Sequence, residues 1–171
     1  INKLQARTIS VGENFRFGYK RCGDINTIKN SIKNKNIKLN IVPLLKDQEG
    51  RISSSRVRNL LLQSDLVKAK DLLKRPYSFS GKVVKGKGIG KKIGFPTANL
   101  QIDGRKFLPG EGVYAAWTKE INSGIKFPSV MNLGPQPTIN PLSPSSVEVH
   151  IIEKNINLYD LELLVEPVQM I

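Results

Sequence analysis

The hydrophobic pattern changes period along the chain. Thr8-Ile9-Ser10-Val11 is a short strand-like run, followed by a loop from Gly12 to Arg21. Ile25, Ile28 and Ile32 recur at helical spacing, with Asp24 placed as N-cap. Ile37, Leu39 and Ile41 then alternate, as strand residues do, and the run continues to Leu45. This strand–helix–strand order predicts parallel strands in an α/β arrangement. A helix through Val57-Arg58-Asn59-Leu60-Leu61-Leu62 follows a group of serines. Another carries Leu66, Ala69, Leu72 and Leu73 and is capped near Ser64-Asp65. Lys74-Arg75-Pro76 ends it, because proline disfavours helix in the residue before it. The domain boundary is expected there, dividing residues 1–75 from 76–171.

From Tyr77 onward short strand-like runs alternate with Gly/Pro turns. The runs are Phe79 to Val84, Thr97 to Ile102, Gly112 to Lys119, Lys126 to Leu133, Ser146 to Ile152 and Leu161 to Val165. Leu108-Pro109-Gly110-Glu111-Gly112 and Gly134-Pro135-Gln136-Pro137-Thr138 are the firmest turns. About six short strands with no long helix predict a small closed β-barrel.

Composition narrows the classes. Of 171 residues, 39% are hydrophobic, so a core is feasible, yet no apolar run approaches the roughly 18 residues of a membrane span. No signal peptide is visible. A single cysteine, Cys22, excludes an internal disulfide and fits a reducing compartment, so a cytoplasmic location is expected. The chain opens on Ile1 rather than methionine and stops at Ile171 straight after a strand-like run, so a piece of a longer protein is expected. The formal net charge of +13 fits nucleic acid, an anionic surface or a polyphosphate substrate. Many lysines sit beside asparagines, as in Lys33-Asn34-Lys35-Asn36, which also suits an ordinary solvated surface. The second half has few aromatics in alternating surface positions to stack bases, which argues against a nucleic-acid-binding barrel.

Chemistry concentrates in the stretch from Gly81 to Leu100. Gly86, Gly88, Gly90 and Gly94 are interleaved with Lys85, Lys87, Lys91 and Lys92. Glycine lets backbone N–H groups approach a ligand and the lysines add positive charge, a combination that suits phosphate but also a basic turn between strands. A Walker-A reading fails because Gly88 stands where Ser or Thr is needed. The dinucleotide fingerprint fails for want of glycine at 91 or 93. In the following Phe95-Pro96-Thr97-Ala98-Asn99, an extended backbone would point Thr97 and Asn99 to the same side. In Ser146-Val147-Glu148-Val149-His150-Ile151-Ile152, Glu148 and His150 share one face, and Glu148 alone could be an exposed strand carboxylate. Asn14, Phe15, Arg16 and Phe17 mix aromatics with cations and can hold a planar ring beside a phosphate, or serve as core. Arg56 and Arg58, near the start of a helix behind Ser53, Ser54 and Ser55, are unfavourable against the macrodipole unless an anion binds there.

Gly86 to Asn99, ending in Gly-Phe-Pro-Thr-Ala-Asn-Leu, resembles the signature of riboflavin kinases, which in bacteria form the C-terminal half of a bifunctional riboflavin kinase/FMN adenylyltransferase. The resemblance implies a six-stranded barrel that phosphorylates riboflavin to FMN with ATP and Mg²⁺. Glu148, in a Glu-Val-His-like strand, would be the catalytic base. Thr97 and Asn99 would hold Mg²⁺. Gly86, Gly88, Gly90, Lys91, Lys92, Gly94 and Pro96 would line the ATP site, in a loop where the family often has arginine. Val113, Tyr114 and Asn132 would lie on the flavin side, with Gln136 departing from the family's usual basic residue. His150 is expected to be structural.

Ile52-Ser53-Ser54-Ser55-Arg56-Val57-Arg58 resembles the phosphate-binding motif of nucleotidylyltransferases, with Ser55 where threonine is common. Val11 to Gly18, with Asn14, Phe15 and Phe17, resembles the flavin side of the FMN adenylyltransferase module. The first part is thereby expected to be the C-terminal portion of an α/β, Rossmann-like nucleotidylyltransferase domain. The family's His-x-Gly-His loop is absent, since His150 is the one histidine, so adenylyl transfer to FAD is not expected from this chain alone. Small-molecule substrates are expected as partners, with neither nucleic acid nor membrane, and homo-oligomers stay open. A helix that ends the family's barrel is absent from the sequence. A non-catalytic flavin- or nucleotide-binding fragment is the alternative this leaves.

Overall fold

The computed structural model describes residues 5–86, 95–134, 146–152 and 156–171. The chain divides into two compact units, residues 1–52 and 53–171. In the first, β1 (Thr8–Gly12), α1 (Ile25–Ile32) and β2 (Lys38–Val42) follow one another as the hydrophobic period predicts. The strands pair in parallel, from Thr8↔Lys38 to Gly12↔Val42. Asp24 caps α1 through a reciprocal box: its carboxylate accepts from the Thr27 backbone N–H at 2.9 Å, and its own N–H donates to the Thr27 hydroxyl. Ile28 and Ile32 are buried. The sequence reading missed a short hairpin of β3 (Lys46–Asp47) and β4 (Gly50–Arg51). Strands of two residues are too short for any period to show. Among the described residues the parallel sheet consists of β1 and β2 alone.

The second unit opens with α2 (Ser54–Leu62) and α3 (Leu66–Leu73). A barrel follows: β5 (Phe79–Val84), β6 (Ala98–Ile102), β7 (Gly112–Glu120), β8 (Lys126–Gly134), β9 (Ser146–Ile151) and β10 (Glu162–Met170). The strands close in the order β10-β5-β6-β9-β8-β7, each antiparallel to its neighbours. Closure removes every unpaired edge, which suits so small a sheet. All six expected strands are present. β10 runs past the expected Val165 to Met170, and a bulge after Pro167 accommodates the missing N–H.

Alternation decides what fills the barrel. Phe79, Val83, Ala98, Leu100, Tyr114, Met131, Leu133, Val147, Val149, Leu163 and Val165 point inward and form one buried cluster. Leu61, Leu66 and Ala69 from the two helices belong to the same cluster. The Gly110 N–H donates to the Leu61 carbonyl at 2.9 Å, seating the 108–112 turn on the end of α2. These contacts place α2 and α3 in one compact unit with the barrel. α3 ends before Pro76, at Leu73, with Lys74 in the left-handed region as its C-cap, and it buries its apolar face against the strands that follow it.

Candidate active site

The antiparallel registers build the site on the outer face of the barrel. Asn99 on β6 stands opposite Glu148 on β9, Glu148 opposite Asn132 on β8, and Asn132 opposite Val113 on β7. Residues directly opposite on neighbouring strands share a face. Their chain neighbours Ala98, Leu100, Val147, Val149, Met131 and Leu133 take the interior. Asn99, Glu148, Asn132 and Val113 therefore form one outward row across four strands. Thr97, just before β6, joins it: its hydroxyl donates to the Glu148 carboxylate at 3.1 Å. Residues 51 apart in sequence are thus brought into contact.

Gly86 is held close to this row. A Cβ there would lie 2.0 Å from the Asn99 side-chain nitrogen, so any larger residue would make that amide move aside. Gly88, Gly90, Lys91, Lys92 and Gly94 lie outside the described residues, as do Gln136, Pro137 and Thr138. Pro96 is described, and its carbonyl is 2.9 Å from His150 Nδ1. Beside the row, an open depression of about 550 Å³ is lined by Lys82, Val84, Lys85, Gln101, Tyr159 and Asp160, among others. Lys82 and Asp160 form an ion pair across it at 3.2 Å. Sequence reading singled out neither Tyr159 nor Asp160, which carry no motif of their own.

One residue expected on the flavin side does not join the row. Tyr114, taken as flavin-side with Val113, is fully buried inside the barrel. Its hydroxyl is 2.7 Å from Ser64 Oγ and donates to the Gly110 carbonyl. Alternation explains this: Val113 faces out, so Tyr114 must face in. Arg58, expected near the start of its helix, is the fifth residue of α2, which begins at Ser54. Its guanidinium lies over the Phe107 ring at 5.9 Å. Ser53 is the N-cap and accepts the Arg56 N–H at 3.3 Å, while Ser54 and Ser55 are exposed in the first turn.

In the first unit, Phe15 and Phe17 stack with centroids 5.7 Å apart and stay partly exposed. The Phe17 ring packs over Gly23, where a Cβ would meet it at 2.8 Å. The Asn14 side-chain oxygen, in the amide orientation that its neighbours fix, accepts from both terminal nitrogens of Arg51 at 3.1 Å. Two aromatic faces, an amide and a guanidinium are thereby gathered in that unit.

The described residues contain no cluster of three or more His, Cys, Asp or Glu side chains fit for a metal. Thr97, Asn99 and Glu148 instead offer hard oxygens, two of them neutral, a donor set that fits Mg²⁺ and its preference for few protein ligands. Thr97 spends its O–H on Glu148, which leaves its oxygen lone pairs free to face a cation. No helix among the described residues is long and apolar enough to cross a membrane.

Comparison with known proteins bears on both units. The riboflavin kinase family model matches residues 73–171, and the FAD synthetase model matches residues 1–56. A bifunctional riboflavin kinase/FMN adenylyltransferase of Buchnera aphidicola is 38% identical over 163 residues, covering 94% of this chain and 51% of its own length. The Haemophilus influenzae protein of the same name is 36% identical, covering 97% of this chain and 53% of its own. The chain thus spans about half the length of the curated relatives it matches. A crystal structure described as a macrolide-efflux protein from Streptococcus pneumoniae superposes with TM-score 0.84 at 29% identity, covering 99% of this chain and 54% of that one.

Proposed function

The chain belongs to the riboflavin kinase family, and from that premise we propose that its barrel transfers the γ-phosphoryl group of ATP to the terminal ribityl hydroxyl of riboflavin, giving FMN and ADP. The observation that carries this reading is the outward row in which Glu148 meets the Thr97 hydroxyl beside Asn99 and Asn132.

Phosphoryl transfer asks a protein mainly for alignment and charge neutralisation. Glu148 accepts the proton of the attacking hydroxyl, whose oxygen bonds to the γ-phosphorus as the bond to the β–γ bridging oxygen breaks. Thr97 and Asn99 would hold Mg²⁺, which, when bound, neutralises the phosphate oxygens. Gly86 keeps the Asn99 side chain in place by leaving room for it. The lysine- and tyrosine-lined depression beside the row is a seat for the nucleotide, with Lys91 and Lys92 supplying further charge. Val113 and Asn132 line the flavin side.

The first unit is read as the C-terminal portion of a Rossmann-like FMN adenylyltransferase domain, the parallel β1–α1–β2 segment being a piece of its sheet. Asn14, Phe15 and Phe17 belong to its flavin side; Ser53, Ser54, Ser55 and Arg56, at the start of α2 in the second unit, carry the phosphate-binding motif of that domain, with Arg58 lying over Phe107. With no His-x-Gly-His loop in the sequence, it forms no FAD by itself. Incubation with riboflavin, ATP and Mg²⁺, followed by chromatography, tests the whole reading: FMN without FAD is expected. If riboflavin fluorescence is not quenched by the protein and no FMN forms, the kinase reading is wrong.

A further inference from the structure

Thr97 sits where the sheet does not hold it. The β6–β9 ladder covers only Ala98↔Val149, Asn99↔Glu148 and Leu100↔Val147, so residues 95–97 lie beyond the last pair. Pro96 has no N–H with which to extend that ladder. The backbone of His150 is in register with Val130 on the opposite neighbour, β8. Strand pairing therefore leaves the approach to β6 without a backbone partner on β9, just at the residue whose hydroxyl must meet Glu148.

The His150 side chain fills that gap. Its Nδ1 lies 2.9 Å from the Pro96 carbonyl, and because a carbonyl only accepts, Nδ1 carries the hydrogen. The same ring meets Phe95 edge to face, with centroids 5.6 Å apart and planes at 74°. One imidazole thus grips the two residues before Thr97. Threonine has few χ1 rotamers, so placing its backbone limits where its hydroxyl can point. We infer that His150 is a positioning residue that holds the Phe95-Pro96 segment and thereby sets the Thr97 hydroxyl against Glu148. This rests on the kinase reading for its consequence in turnover, but not for the structural tie itself.

The test compares His150→Ala with His150→Asn, whose Nδ2–H stands close to where the imidazole Nδ1–H stood. Both should fold, because His150 lies on the outer face and its neighbours Val149 and Ile151 carry the packing. In the ligand-free chain, the Thr97 methyl resonance should move to an averaged position in His150→Ala and return toward wild type in His150→Asn. In turnover, His150→Ala should lose about 10²-fold in kcat, the scale of a small misplacement at a reacting centre. It should also need more Mg²⁺ for half-maximal rate while its KM for riboflavin holds, and His150→Asn should regain most of the loss. A Thr97 signal unmoved in His150→Ala overturns the tie whatever the activity. A signal that moves in a chain whose wild type makes no FMN upholds the tie and sinks the kinase reading instead.

Discussion

At the scale of single residues, the side of a strand that each side chain takes decides its role. Thr97, Asn99 and Glu148 were legible because the period of two assigns them to a face, and the resemblance singles out that face. Tyr114 was not legible as a core residue: the sequence shows a tyrosine beside a valine, and only the register tells which of them faces in. Tyr114→Phe should cost about 1–3 kcal/mol, since Ser64 and the Gly110 carbonyl lose a buried partner. Riboflavin affinity should be unchanged, checked by thermal melts and fluorescence quenching; weaker riboflavin binding at full stability would return Tyr114 to the flavin side. Gly86 acts through space rather than through its own chemistry. Gly86→Ala would press on the Asn99 amide, and FMN formation should fall about 10²-fold at unaltered melting temperature.

At the scale of elements, capping and proline made the helices readable. Asp24, Ser53 and Asp65 are the observed N-caps of α1, α2 and α3. The β3–β4 hairpin and the far end of β10 were not readable, the first for its shortness and the second because a bulge hides the continuation past Pro167. The two aspartate caps also set an acid response. The backbone N–H of Thr27 holds the Asp24 carboxyl below its usual value of 3.8, and a hydrogen bond from Lys68 does the same for Asp65. A carboxylate depressed on folding stabilises the folded state above its unfolded pKa, and that contribution is lost as the pH falls through the folded value. Asn can cap without titrating, so the double variant Asp24→Asn/Asp65→Asn should keep its helices near neutrality. Its stability below pH 3.8 should fall less steeply than that of wild type, measured by denaturant melts monitored by circular dichroism. Identical slopes would show that the caps play no part.

At the scale of the molecule the sequence discloses two modules, the second a barrel, but not which helices pack on that barrel. Pro76 is visible to sequence reasoning, whereas the burial of Leu61, Leu66 and Ala69 with the barrel core is not. A chain begun at Tyr77 should therefore be less stable than one begun at Ser53, by about 1.5–3 kcal/mol for each leucine that loses its buried place. Equal melting temperatures would show that the two helices add nothing to the barrel. The large positive charge did not discriminate, since polyphosphate substrates and ordinary lysine-rich surfaces both accommodate it. What decides the matter is whether the carboxylate on β9 performs the proton transfer. The most direct measurement is single-turnover FMN formation from riboflavin and MgATP by the chain and its Glu148→Gln variant, with ATP binding followed in parallel. The variant should bind ATP as wild type does and form FMN about 10²–10⁴-fold more slowly; an unchanged rate would remove Glu148 as the base.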